Sequence, residues 1–322
     1  MLVSYNKFLT VAILAVFAPV AFIMSLHFSQ LYVEGDQYHY TRLYNSLTHA
    51  SVTEVPILQL AHTGSIEPLY GLIAWVGSKI AAKEVWFSLF NTILVILLFA
   101  LLRKNRISMI VYPLVFTNYY LFVLLFAAER LKFAIICLLL FGLIESKWRY
   151  FWAALSPLFH LQSVLFASGI VGSEISKLLR RIMRGKLPLR PVVVTMLILS
   201  LLAAIFLTFQ TRISIKFAHY QGSGVGELVK SIVFFVIAIA FSRDRLQTII
   251  AFSGLFVAAY LLGDTRINMV AFLFALYPTF GWLKGANPVT ILLLTYFSLN
   301  GIVFLSNIAD HGTGYPWFVR DW

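Results

Sequence analysis

Apolar residues fill this chain in eleven continuous stretches, roughly 8–28, 69–82, 85–102, 107–126, 130–144, 149–171, 190–209, 228–242, 246–262, 267–283 and 288–307. Several reach the ~17–25 residues that a helix needs to cross hydrocarbon. In lipid the backbone must satisfy its own hydrogen bonds, so such runs predict helices. A membrane β-barrel would alternate apolar and polar residues, and these runs do not alternate. The pattern predicts an all-α, polytopic helical membrane protein, with residues 1–322 as a single integral membrane domain. The longer polar intervals are 29–68, 172–189, 210–227 and the tail from Ala309.

The basic residues shape the expected topology. If every stretch crossed once, Arg103, Lys104, Arg106, Lys147 and Arg149 would face away from the densest basic interval. That interval holds Lys177, Arg180, Arg181, Arg184, Lys186 and Arg190. The positive-inside tendency disfavours such an arrangement. Two changes remove the conflict. Stretch 69–82 is short enough to enter and return, and stretch 149–171 is broken by Ser156-Pro157 just before His160. Proline cannot donate the helical hydrogen bond and crowds the preceding turn. About nine full crossings then remain, plus two re-entrant or broken segments. Residues 172–189 become a basic cytoplasmic loop, and 29–68 and 210–227 become outer-face loops. Asp36, Glu67, Arg130, His160, Arg212, Lys216, Tyr220, Arg266 and His311 gather toward the outer face.

Composition narrows the class. At 60% hydrophobic the chain is too apolar for a soluble fold. Its net charge of +12 sits in short loops, so topology and anionic membrane lipid explain it better than nucleic acid does. The single cysteine, Cys137, lies inside an apolar run and excludes an intramolecular disulfide or a cysteine metal cage. A Gly-rich phosphate loop, His-Glu-x-x-His and Cys-x-x-Cys are all absent, so neither cofactor nor metal is expected. Stretch 8–28 has no clean cleavage site before Gln30 and reads as an uncleaved anchor.

The acids are few and grouped. Of 13 Asp and Glu residues, Glu34, Asp36, Glu54 and Glu67 all fall within the interval 29–68. Tyr32 to Tyr44 is the densest polar and aromatic cluster. An interfacial aromatic belt accounts for its tyrosines but not for the acids among them. A carboxylate beside sugar-stacking rings, Tyr38 and Tyr40, accounts for both. Glu67-Pro68 suits the start of a helix, where an acid meets the positive dipole end, and equally suits a base. Glu129 and Lys132 pair at i, i+3 and snorkel, which leaves Arg130 as an anchor or as an inward-facing fork for phosphate. His160 is a structural hydrogen-bonder, a base or a phosphate ligand. Arg212, Lys216, His219 and Tyr220 share one helical face, and a basic stripe on the outer side suits an anion. Asp264 and Arg266 flank the start of stretch 267–283, where Arg266 offers a further phosphate ligand. The tail from His311 to Trp317 reads as interfacial anchoring.

Together these features resemble the EpsG-like, Wzy-type polymerases of bacterial exopolysaccharide and O-antigen repeat units. The matching pieces are Gly35-Asp36 with Tyr38, Tyr40 and Tyr44, then Glu67-Pro68-Leu69-Tyr70, Glu129-Arg130 with Leu131 to Ala134, and Phe159-His160 with Ser163. Tyr220 and Arg266 match more loosely, and Leu131 stands where the family commonly has glutamine. The resemblance implies a GT-C-like glycosyltransferase in the bacterial inner membrane with a periplasmic active face. Its substrates would be two undecaprenyl-diphosphate-linked oligosaccharides, with the lipid diphosphate as leaving group and a chain-length regulator protein as a further partner. Asp36, Glu67 or His160 would serve as base, and Arg130, Arg212, Lys216 and Arg266 would hold phosphate. The alternative from a different class is a transporter or flippase of lipid-linked oligosaccharides, which needs a cationic cavity but no base.

Overall fold

The computed structural model describes residues 2–65, 67–185, 189, 192, 193, 196, 200, 224–262 and 265–315, and every regular element among them is helical. The chain divides into two compact units, Met1–Ser163 with Ile291–Trp322, and Val164–Thr290.

In the first unit, α1 (Leu2–Leu31) packs along α5 (Lys83–Lys104). Phe17 meets Phe99 edge-to-face at 4.7 Å, and the fully buried Asn91 donates to Ser25 across the interface. Apolar packing gains little when the alternative solvent is lipid, so such polar and aromatic contacts select which helix faces meet. After α1 the chain bends by 93° into α2 (Asp36–Leu47). The bend passes through Gly35 at φ 58°, a left-handed value that suits glycine. The tail fastens it: Val33 and Glu34 N–H both donate to the Gly312 carbonyl at 3.0 Å.

Residues 29–68 are therefore not the open loop that polarity predicts. They carry α2 and α3 (Val55–Thr63), which pack on each other and on α4 (Pro68–Ser78). In α2 the buried positions are Gln37, Tyr40, Leu43, Tyr44 and Leu47, a stripe at helical spacing that a mean polarity conceals. The stretch 107–126 is also subdivided, into α6 (Val111–Phe116), α7 (Tyr119–Phe122) and a π-helical turn, Val123–Ala127. Then come α8 (Glu129–Leu143) and α9 (Arg149–Phe159). Pro157 is accommodated in the last turn of α9, and the chain leaves the helix at His160, whose backbone is extended.

In the second unit, α10 (Val164–Met183) packs on α12 (Arg245–Leu262), and α11 (Gly224–Phe241) packs on α12 and α13 (Thr265–Thr279). Residues 172–183, expected as part of a basic loop, continue α10. Lys177 pairs with Glu174 one turn before it at 2.7 Å, and Arg180 pairs with Asp244. Of the expected outer loop 210–227, residues 210–223 lie outside the described residues, and 224–227 begin α11.

Two helices among the described residues are long and apolar enough to cross a membrane, Lys83–Lys104 and the stretch Leu283–His311 that contains α14 (Pro288–His311). Ala15–Leu31 and Asp36–Leu47 add a third only if the bent pair counts as one span. This is fewer than the nine crossings expected from hydropathy. The physical reason is segmentation: stretch 107–126 is divided among α6, α7 and the π-helical turn, and α8 and α13 have 15 residues each. At about 1.5 Å per residue the last two reach only about 22 Å. Stretch 190–209 lies almost wholly outside the described residues.

Helix α14 approaches the α6–α7 junction closely. Ser298 Oγ accepts from Thr117 Oγ1 and donates to the Leu114 carbonyl, each at 2.9 Å, and a Cβ on Gly301 would run into the Thr117 carbonyl oxygen. Gly301→Ala should therefore lower thermal stability in detergent by about 1–3 kcal/mol. Gly226→Ala, where a Cβ meets nothing within 4 Å, is the control that should not.

Candidate functional site

Arg130 and His160, from two distant stretches of the first unit, converge on the Glu67 carboxylate, and Tyr40 joins them through Arg130. Glu67 occupies the N-cap position of α4, with Pro68 as the first helical residue, as a helix-start acid should. Its side chain does not cap the helix. Oε2 instead accepts from Arg130 Nη1 at 2.9 Å, and Oε1 lies 3.1 Å from His160 Nδ1. Arg130 Nε donates to the Tyr40 hydroxyl at 3.4 Å, and His160 Nε2 lies 3.0 Å from Gln162 Oε1. The side chains of Glu67, Arg130 and His160 are 15%, 11% and 6% exposed, so this is a shielded cluster.

Local structure explains each placement. The buried Gln59 of α3 donates to the Glu67 carbonyl at 2.9 Å and to Ser65 Oγ at 3.0 Å, which fixes the entry to α4. The π-helical turn ends at Ala128, so α8 restarts with Glu129 and Arg130 in its first turn. Helix α9 packs on α4 and α8, with Phe159 stacked on Phe133 at 5.5 Å, and this delivers His160 to Glu67.

An ionised carboxylate only accepts hydrogen bonds, so the His160 proton facing it sits on Nδ1, and the second ring nitrogen, Nε2, faces Gln162. Burial disfavours the Glu67 charge, but the His160 hydrogen bond and the Arg130 guanidinium outweigh it. They hold its carboxyl well below the usual carboxylate range. The hydroxyls of Ser156 and Ser163, buried on either side of His160 in sequence, have no hydrogen-bond partner among the described residues.

Of the residues singled out from sequence, Tyr40, Glu67, Arg130 and His160 come together. Asp36 is half-buried and opens α2 one turn before Tyr40. Tyr38 does not share a surface with Tyr40, since residues two apart point to opposite sides of a helix. It is 48% exposed and lies beneath Arg42, whose Nη1 donates to its hydroxyl at 3.2 Å. Tyr40 is buried and packed edge-to-face on Tyr70 at 5.6 Å, not presented as an open stacking platform. Arg212, Lys216 and Tyr220 lie outside the described residues, as does the side chain of Arg266, whose backbone belongs to α13. Of the tail, Gly312 fastens the α1–α2 bend, and Tyr315 packs on Phe304 of α14.

Sequence reasoning missed Lys83, Gln37 and the role of Glu129. Glu129 does not pair with Lys132. Its Oε1 lies 3.5 Å from Lys83 Nζ, and its Oε2 accepts from the Tyr70 hydroxyl at 2.8 Å. Lys132 does not snorkel: it is fully buried, faces the Phe87 ring and donates to the Leu125 carbonyl at 3.1 Å. Among the described residues no three His, Cys, Asp or Glu side chains group as a metal site. Comparisons with family models, curated proteins and solved structures return no match.

Removing the Glu67 charge takes away the carboxylate that faces the shielded Arg130 guanidinium. Glu67→Gln should destabilise the protein by about 3 kcal/mol at neutral pH. A carboxylate with a depressed folded pKa contributes stability that is fully present above its unfolded pKa of about 4.3 and lost as pH falls toward the folded value. The gap in melting temperature between wild type and Glu67→Gln should therefore shrink as pH drops below about 4. An equal gap at all pH values would show that the carboxylate is not ionised in the fold.

Proposed function

We propose that this chain is a membrane glycosyltransferase that joins undecaprenyl-diphosphate-linked oligosaccharide repeat units at the outer face of a bacterial inner membrane. The observation that carries this reading is the convergence of Arg130, Glu67, His160 and Tyr40 in one shielded cluster among apolar helices. Ionisable groups placed there are costly and are expected to serve function. The resemblance noted in the sequence supplies the substrate class. The proposed topology keeps the segments at α4 and α9 re-entrant or broken, which leaves the strong basic loops on the cytoplasmic side.

In the proposed reaction a hydroxyl oxygen of the acceptor sugar attacks the anomeric carbon of the donor. The bond from that carbon to the lipid diphosphate breaks, and the diphosphate leaves with the electron pair. His160 Nε2 takes the hydroxyl proton. Glu67 holds the ring by its Nδ1–H and stabilises the imidazolium that forms, while the Arg130 fork faces the growing charge on the leaving group. Gln162 contacts the same Nε2, and its amide presents either a donor or an acceptor end as the proton moves. Asp36, one turn before Tyr40, is the rival base.

Purified protein in detergent should lengthen lipid-linked repeat units with no nucleotide sugar added, because the donor bond is already made. His160→Gln should lower the rate by about 10²–10⁴-fold, and by more than Asp36→Asn does. The reverse order gives the base to Asp36. Arg130→Ala should abolish extension, and Arg130→Lys should restore little of it, since an ammonium lacks the forked geometry. Failure of folded wild type to extend authentic substrate would leave the transporter reading. Topology has its own measurement: in a chain with Cys137 replaced by Ser, cysteines at Ser146 and Gly185 should label from the cytoplasm and one at Thr53 from outside. Outward labelling at Ser146 would overturn the proposed path of α9.

A further inference from the structure

Beside the Glu67 cluster lies a drier layer, which meets it where Tyr70 packs on Tyr40. Glu129 is 3% exposed, Lys83 8%, Gln37 5% and Tyr70 1%. Besides Glu129, Lys83 Nζ bonds Gln37 Oε1 and, at 2.9 Å, Thr41 Oγ1. Gln37 Nε2 in turn donates to the Phe126 carbonyl in the π-helical turn. That turn has shifted hydrogen-bond register, and side chains of α2 and α8 reach its carbonyls.

The placement of these partners along the chain is what matters. Glu129 adjoins Arg130 in the first turn of α8. Tyr70 lies one turn beyond Glu67 on α4, and Gln37 and Thr41 bracket Tyr40 on α2. One carboxylate and one ammonium therefore tie together the three helices that carry Tyr40, Glu67 and Arg130. The fourth element follows through apolar contact, because Phe133 of α8 stacks both on Phe159, beside His160, and against Phe87 of α5.

We infer that Glu129, through its bonds to Lys83 and Tyr70, is the positioning residue that sets the spacing of the Glu67–Arg130–His160 cluster without touching substrate. A buried ion pair gains little net stability, since desolvation offsets most of its attraction, and a well-packed apolar pair would hold the helices about as firmly. What the pair supplies is direction. Each of its bonds fixes the rotation of one helix about its axis, which apolar contact does only loosely. A displacement of about 1 Å in a reacting group costs up to about a hundredfold in rate, so the Glu67 cluster is sensitive to such rotation.

The kinetic arm of the test rests on the glycosyl-transfer reading, and the second arm does not. Glu129→Asp keeps the charge but draws it back by one methylene, and Lys83→Met removes the cation while keeping the length. Each should lower kcat for lipid-linked repeat units by about tenfold to a hundredfold, with KM changed by no more than about twofold. Thr41→Val, which removes a single outer bond to Lys83, should give a smaller fall of the same kind. In the second arm, amide hydrogen exchange should quicken at the starts of α4 and α8 in both main variants, while exchange in α14 stays as in wild type. Quickened exchange with inactive wild type would sink the polymerase reading and leave the positioning role standing. Unchanged kcat and unchanged local exchange in Glu129→Asp and Lys83→Met would overturn the inference. So would a loss confined to KM, or a uniform rise in exchange across the unit that marks general loosening.

Discussion

A carboxylate withdrawn from water must find its charge partners within the protein, and in this chain two such carboxylates decide how the helices of the first unit meet. Glu67 takes Arg130 and His160 as partners, and Glu129 takes Lys83 and Tyr70. None of these partners comes from the same helix as its carboxylate. Burying either acid without them would cost several kcal/mol, so the arrangements open to α2, α4, α5, α8 and α9 reduce to those that satisfy both. Around this polar column the rings of Tyr70, Phe87, Phe133 and Phe159 form a continuous packed set. Each ring pair adds about 0.5–1.5 kcal/mol, enough to hold an orientation that the polar bonds have selected.

Much of the architecture was legible in the sequence, for a simple reason. Continuous apolar runs have few stable forms in lipid, so helices follow from hydropathy alone. Arg130 and His160 stood out because each interrupts apolar sequence. What could not be read was the partner. Glu67 lies 63 residues from Arg130 and 93 from His160, and no local rule connects positions so far apart. Lys83 was overlooked because a lysine next to Glu84 at the edge of an apolar run looks like an interfacial residue. The expected Glu129–Lys132 pair failed for a different reason. The π-helical turn leaves the Leu125 carbonyl within reach of Lys132, while Lys83 and Tyr70 claim the Glu129 carboxylate.

The interval 29–68 shows the same limit from the other side. Its average polarity reads as a loop, yet α2 conceals an apolar stripe between exposed residues, and only a 3.6-residue period reveals it. Segment lengths erred the opposite way. Hydropathy counts apolar residues without seeing that Thr117-Asn118 divides one run into short helices, where the Asn118 side chain accepts from the Tyr120 N–H and starts a new one. A count of crossings taken from composition therefore exceeds the number of helices among the described residues that are long enough to make them.

In the proposed reaction the two carboxylates would take different parts. A base must hold its proton with an affinity near the working pH. Glu67, gripped by a guanidinium and an imidazole N–H, is held well below the ordinary carboxylate range and binds a proton too weakly for that task. The same grip suits it to another one. A fixed negative charge at Nδ1 orients the ring of His160 and favours the imidazolium that appears when Nε2 accepts a proton. In the proposed reaction Arg130 would have two roles, keeping Glu67 ionised and facing the charge that grows on the leaving group. Glu129, one residue earlier, is turned into the layer beside it and takes part in neither role directly. Consecutive residues on a helix point about 100° apart. The break at Ala128 places both in the first turn of α8, with Arg130 turned to Glu67 and Glu129 to Lys83 and Tyr70.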